Sequence, residues 1–99
     1  MAQIRAESLM SDTRRRILSL LMNGRKHISE MARGIDKDRS TVAYHLNILE
    51  KAGMIYSKYE TIHPINSPGL IGNYFYVDMD VLKEAIAEAK RTVSLTSVD

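Results

Sequence analysis

Apolar positions along this chain keep two different periods, and the switch between them divides it. Up to Gly53 the spacing is helical, from Met54 to Val77 it approaches two, and after Asp78 it is helical again. The clearest stretch is Asp38 to Gly53, where Val42, Leu46 and Leu49 fall at i, i+4 and i+7, a stripe that has to be buried. Asp38 is the candidate N-cap, because a carboxylate there accepts from a free amide of the first turn. Gly53 supplies the left-handed residue that closes a helix. Upstream, Ala2 to Ser11 reads as a weak helix or arm whose large apolar side chains are Ile4, Leu9 and Met10. Asp12 is the candidate cap of a core helix, Thr13 to Met22, with Ile17, Leu18, Leu20 and Leu21 on a broad apolar face and Asn23-Gly24 at its end. His27-Ile28 reads as a short extended piece at a sheet edge. Ser29 then caps a second short helix, Glu30 to Gly34, which turns Met31 and Ala32 inward and leaves Ile35 to pack in the following turn.

Beyond Gly53, Met54 to Ile62 reads as a strand with Ile55 and Tyr59 on one face and Tyr56 and Lys58 on the other. Asn73 to Val77 is a second strand, rich in the aromatic residues that favour pleated structure. The intervening His63 to Gly72 contains two prolines and two glycines and reads as the connecting turn. Asp78 caps a last helix whose Leu82, Ala85, Ile86, Ala89 and Val93 form one stripe, before a frayed tail from Ser94. The expectation is a single domain over residues 1–99, mainly α with a small β-hairpin. Its parts are an N-terminal arm (1–11), a three-helix core (12–53), a hairpin wing (54–77) and a terminal helix (78–93). Within the core, two short helices joined by about four residues make a helix-turn-helix.

Size changes this picture in one respect. A chain of 99 residues buries only about 60–65% of its unfolded surface, too little to cover the whole stripe of the last helix. Burying an exposed Leu or Ile contributes roughly 1.5–3 kcal/mol. A homodimer built on this helix, through Leu82, Ala85, Ile86, Ala89 and Val93, is the simplest way to bury it.

Charge narrows the choice of partner. The net charge is only +2, but it is unevenly spread. Arg14 to Lys51 holds nine Lys/Arg against four Asp/Glu, whereas Thr61 to Asp99 holds three against five. The positive excess surrounds the Asp38 helix, as a phosphate-facing surface requires. That helix turns Arg39, Ser40, Thr41, Tyr44, His45, Asn47 and Lys51 away from its apolar stripe. None is acidic, and each can donate to a phosphate or a base edge. An apolar back with a donor-rich front is what the DNA major groove admits. Arg39, Tyr44, His45 and Asn47 are the candidates for base edges. Arg14, Arg15, Ser29, Lys37, Ser40, Thr41 and Lys51 are the candidates for the phosphate backbone, with Lys58 reaching it from the wing.

Other chemistries find little support. The chain has no cysteine, which removes disulfides, thiolate metal sites and cysteine nucleophiles. His27, His45 and His63 are evenly spaced at a distance that matches no local ligand pattern, so no metal or cofactor is expected. No nucleophile has an evident base and no glycine loop cradles phosphate, so no enzymatic activity is expected. No apolar run approaches a membrane span, which makes a cytoplasmic protein the default. The tyrosines of the hairpin read as packing and the six methionines as gap-fillers. Two rival readings remain: a protein–protein module using the hairpin and last helix, and a chromatin-like protein that coats DNA without reading it. Nothing in the sequence names a small-molecule effector or an operator.

At residue level the chain resembles the ArsR-type family of transcriptional regulators from about Leu9 to Ile86. The matching stretches are residues 11–18 (SDTRRRIL), 28–32 (ISEMA), 40–55 (STVAYHLNILEKAGMI) and 74–78 (YFYVD). The resemblance implies a winged helix-turn-helix repressor that binds double-stranded DNA as a dimer paired through its terminal helices, which adds Ile4 and Leu9 of the first segment to the interface. It implies a recognition face made of Arg39, Ser40, Thr41, Ala43, Tyr44, His45 and Asn47. The chain departs from the family in three ways. No proline separates Asp12 from Thr13. Neither recognition-helix cysteines nor last-helix histidines are present, so metal sensing through those positions is not expected. The wing tip is mostly apolar, where a phosphate-gripping wing carries several cations.

Overall fold

The computed structural model describes residues 2–62 and 69–96; side chains are described from Arg5 to Thr61 and from Gly69 to Val93. Helices α1 (Ala2–Ser8) and α2 (Asp12–Met22) lead into a two-residue strand β1 (Lys26–His27). Helices α3 (Ile28–Ile35) and α4 (Arg39–Lys51) follow, then strands β2 (Ile55–Ile62) and β3 (Leu70–Val77), then α5 (Met79–Thr96). The chain is thus mainly helical with a small antiparallel sheet, as its periodicity requires.

The caps explain where the helices begin, and two differ from expectation. Ser11, not Asp12, caps α2, its hydroxyl accepting from the Arg14 amide at 3.2 Å. Asp12 lies inside the first turn, where a negative charge suits the helix dipole. His27, not Ser29, caps α3. Its Nδ1 accepts from the Ser29 amide at 3.1 Å, and Glu30 Oε1 accepts from the His27 amide at 2.9 Å. This is a capping box with imidazole in place of a hydroxyl. Asp38 caps α4 as expected, Oδ1 accepting from the Thr41 amide at 2.7 Å. Asp36 ends α3 at φ 55°, and Gly53 follows α4 at φ 78°.

The sheet has three strands rather than two, in the order β1-β3-β2. Strand β3 starts at Leu70, three residues before Asn73, and pairs with β2 from Ile62↔Leu70 to Ile55↔Val77. Its other edge is covered by β1, Lys26 opposite Phe75 and His27 opposite Tyr74. The start of the predicted turn, His63 to Pro68, lies outside the described residues.

Ile17, Met31, Val42, Leu49 and Met54 have no exposed surface and make the centre of the core. Leu46, Phe75, Leu82 and Ala85 close it from α4, the sheet and α5. Val42, Leu46 and Leu49 are therefore all consumed inside the body, which fixes the rotation of α4 about its axis. Ile55 is buried, but Tyr59, on the same pleat face, is 78% exposed, because the hairpin outruns the helical body beneath it. At the other end, α1 packs on α5 within the chain, joined by an ion pair from Arg5 Nη1 to Glu84 Oε2 at 2.9 Å.

Candidate nucleic-acid interface

With its stripe buried, α4 presents Arg39, Ser40, Ala43, Tyr44 and Asn47 to solvent, and Lys51 at its last turn. Tyr44 is 63% exposed. Thr41 and His45 are half-buried along the edge that faces α2. Thr41 is tied into the cap through its amide, and the Ser40 hydroxyl donates to Asp38 Oδ1 at 3.0 Å. These bonds hold the Asp38 carboxyl below its ordinary range, Thr41 first and Ser40 after it. The cap is therefore an ionised acceptor whose hydrogen bonds organise the groove end of the helix.

The arginines at the start of α2 have a role that the sequence reading missed. Arg14 Nε donates to the Ser8 carbonyl at 2.6 Å, and Arg15 Nη1 donates to the Leu9 carbonyl. These carbonyls stand at and just beyond the end of α1, where a helix leaves acceptors unpaired and favours cations. Arg14 also reaches α4, its Nη1 lying 3.1 Å from His45 Nδ1. The signal was a run of cations beginning six residues after a helix end. It was visible in the sequence, but its partner carbonyls were not. Arg15 is exposed and Arg14 half-buried.

Ser29 is half-buried at the start of α3, with its amide taken up by His27. Lys37 is exposed in the α3–α4 turn, near enough to help depress the His45 pKa. Lys58 stands on the wing, its Nζ 5.6 Å and 5.4 Å from the ring centroids of Tyr56 and Tyr76. Those two rings stack at 5.2 Å, so the ammonium sits over an aromatic pair. Tyr56 and Tyr76 are thus packing groups on the outer face.

The outer half of the wing is braced by a group the sequence did not suggest. Arg25 lies 4.5 Å over the Tyr74 ring, and its Nε is 3.2 Å from Glu60 Oε2. The Tyr76 hydroxyl donates to Glu60 Oε1. That bond, helped by burial and the Glu60 charge, pushes the Tyr76 pKa above its ordinary value.

The terminal-helix residues divide. Leu9, Leu82 and Ala85 are buried in the chain's own core, and Ala89 is half-buried. Ile86 is 39% and Val93 55% exposed. The Ile4 side chain lies outside the described residues. Met10 and Met22, 55% and 56% exposed, join Ile86 and Val93 around an apolar groove of about 620 Å³ between α2 and α5. Lys90 and Arg15 stand at its rim. Among the described residues no cluster of His, Asp or Glu is placed to hold a metal ion, and no helix is long and apolar enough to cross a membrane.

A helix-turn-helix with an outward polar face, a three-stranded sheet carrying a wing, and helices at both ends define a winged helix-turn-helix protein. Residues 11–57, just under half of the chain, match the model of the bacterial regulatory protein, arsR family. An uncharacterised HTH-type transcriptional regulator of Methanocaldococcus jannaschii is 43% identical over 51 residues, which are 50% of this chain and 13% of that protein. The chain thus spans a small part of that relative's length. Among solved structures, a possible transcriptional regulator for arsenical resistance superimposes with a TM-score of 0.66 at 22% identity, covering 96% of this chain and 97% of that one. A possible transcriptional regulatory protein of Mycobacterium bovis (fragment 1–100) gives 0.64 at 19% identity, covering 97% and 92%. Likenesses at this identity show the fold. The matched family is one of regulatory proteins, and the relative is an HTH-type transcriptional regulator.

Proposed function

We propose that this chain is a homodimeric, sequence-specific DNA-binding regulator, a repressor, that reads the major groove with α4. One observation carries the reading. The buried stripe Val42–Leu46–Leu49 turns α4 so that Arg39, Tyr44 and Asn47 are all exposed, with no neighbouring element over them. Arg suits guanine O6 and N7, and Asn suits adenine N6 and N7. Lys37 and Lys51 flank the helix at either end as phosphate partners, and Lys58 extends the cationic surface to the wing. In the dimer, the groove between α2 and α5 meets its copy, so that two α4 helices enter successive major grooves about one helical turn apart.

The test is selection of bound sequences from a random duplex pool, with the mass in solution measured alongside. The expected result is a pseudo-palindrome bound by a dimer. Arg39→Ala then weakens binding by about 1–3 kcal/mol and relaxes one position of each half-site, while Lys37→Ala weakens all duplexes alike and flattens the salt dependence. Enrichment of no sequence over background, with all duplexes bound equally, refutes the regulator reading in favour of a coating protein.

A further inference from the structure

His45 occupies an unusual place on α4. It sits at the edge of the exposed face, half-buried, with Arg14 of α2 on one side and the Tyr44 ring on the other. The Tyr44 and His45 rings meet edge-on at 5.0 Å. Arg14 Nη1 is 3.1 Å from His45 Nδ1. A guanidinium has only donors, so the nitrogen facing it must be the acceptor. The ring proton is therefore on Nε2, and the imidazolium, which has a proton on both nitrogens, is incompatible with this contact.

The guanidinium is itself held in place by its Nε bond to the Ser8 carbonyl at 2.6 Å. The imidazole thus meets a donor fixed by two elements, α1 and α2, before any ligand arrives. The charges around it act in the same direction. Burial first, then Arg14 and Lys37, keep the His45 pKa below its ordinary value and the ring neutral.

We propose that Arg14 is a specificity-positioning residue: by donating to Nδ1 it fixes His45 as the neutral Nε2–H tautomer, so that α4 offers a base edge one donor and no acceptor at this point. The inference rests on the DNA-reading function above. A lone donor matches guanine O6 or N7, adenine N7 or thymine O4, and is mismatched to the amino group of cytosine. A histidine free to exchange tautomers would offer either a donor or an acceptor and discriminate less. Arg14 acts on recognition here without itself touching a base.

Two measurements on the full chain test this. In the DNA-free protein, long-range nitrogen–proton correlation of the imidazole reads the tautomer directly. Wild type should show a bare Nδ1 and a protonated Nε2, and Arg14→Met should show a mixture. An unchanged tautomer in Arg14→Met overturns the proposal. The second is selection from a random duplex pool with wild type, Arg14→Met, Arg14→Lys and His45→Ala. Arg14→Met and His45→Ala should flatten preference at the same half-site position, by about fivefold. Arg14→Lys, which keeps a donor, should partly restore it. His45→Ala leaves the Arg14–Ser8 bond intact and so guards against a folding defect in Arg14→Met. If wild type selects a site and Arg14→Met keeps its full base preference, or loses affinity for every duplex alike, the proposal falls and the regulator reading stands. If wild type selects nothing, the regulator reading falls as well.

Discussion

Replacing Ile86 by Glu tests the assembly that the proposed function needs. Ile86 is 39% exposed in the single chain, which leaves on the order of 70 Å² of apolar surface that contributes about 1.8 kcal/mol when buried. A two-fold interface counts each residue twice. The substitution therefore removes about 3.5 kcal/mol, or roughly a 300-fold rise in the dimer dissociation constant, before the cost of burying two carboxylates is added. Folding should be little affected, since Ile86 lies outside the packed core while its neighbours Leu82 and Ala85 are inside it. Sedimentation equilibrium over a wide concentration range reads the dissociation constant, and thermal melting of the dilute monomer supplies the control. A dissociation constant that moves less than threefold, with the melt unchanged, would show that α2 and α5 do not meet a second copy through this groove. The same result would remove the geometry by which two α4 helices reach successive major grooves.

Three further outcomes follow from the geometry. Leu49→Ala, at a position with no exposed surface, should cost about 2–5 kcal/mol in urea denaturation and abolish DNA binding only in proportion to the unfolded fraction. Asp36→Gly should raise stability by about 0.5–1 kcal/mol, because residue 36 sits at φ 55°, a conformation that strains a side-chain-bearing residue; a lower melting temperature would refute it. Because the His45 pKa is lowered on folding, by burial before the Arg14 and Lys37 charges, the unfolded chain takes up the proton first. Stability present above pH 6.5, the ordinary value, is therefore lost as the pH falls through the lower folded pKa. His45→Gln should flatten that part of the pH–stability curve, and identical wild-type and variant slopes would contradict it.

Much of the helix-turn-helix was legible because its signals are local. Asp38 accepts from an amide three residues on, Gly53 takes a left-handed turn, and Val42, Leu46 and Leu49 share a face whatever the rest of the chain does. Those three facts alone decide that Arg39, Tyr44 and Asn47 point outward. What was misread depended on partners remote in sequence or on choices among close alternatives. Ser11 and His27 displaced Asp12 and Ser29 as caps, by one and two residues, since each neighbour offers an acceptor and only backbone geometry selects between them. The third strand exists because β3 has a free edge that Lys26-His27 can reach. The bonds from Arg14 and Arg15 to the Ser8 and Leu9 carbonyls could not be read from the run of cations, because those acceptors are set against it only once α1 and α2 pack. Leu9, Leu82 and Ala85 carried the pattern of an interface, yet the pairing of α1 with α5 buried them in the chain's own core. Periodicity states that an apolar stripe must be covered. It says nothing about what covers it, because hydrophobic burial has no direction and no memory of sequence distance. The tertiary structure made that choice, and with it placed Arg14 against His45, where a charged end-cap of one helix sets the proton on the face of another.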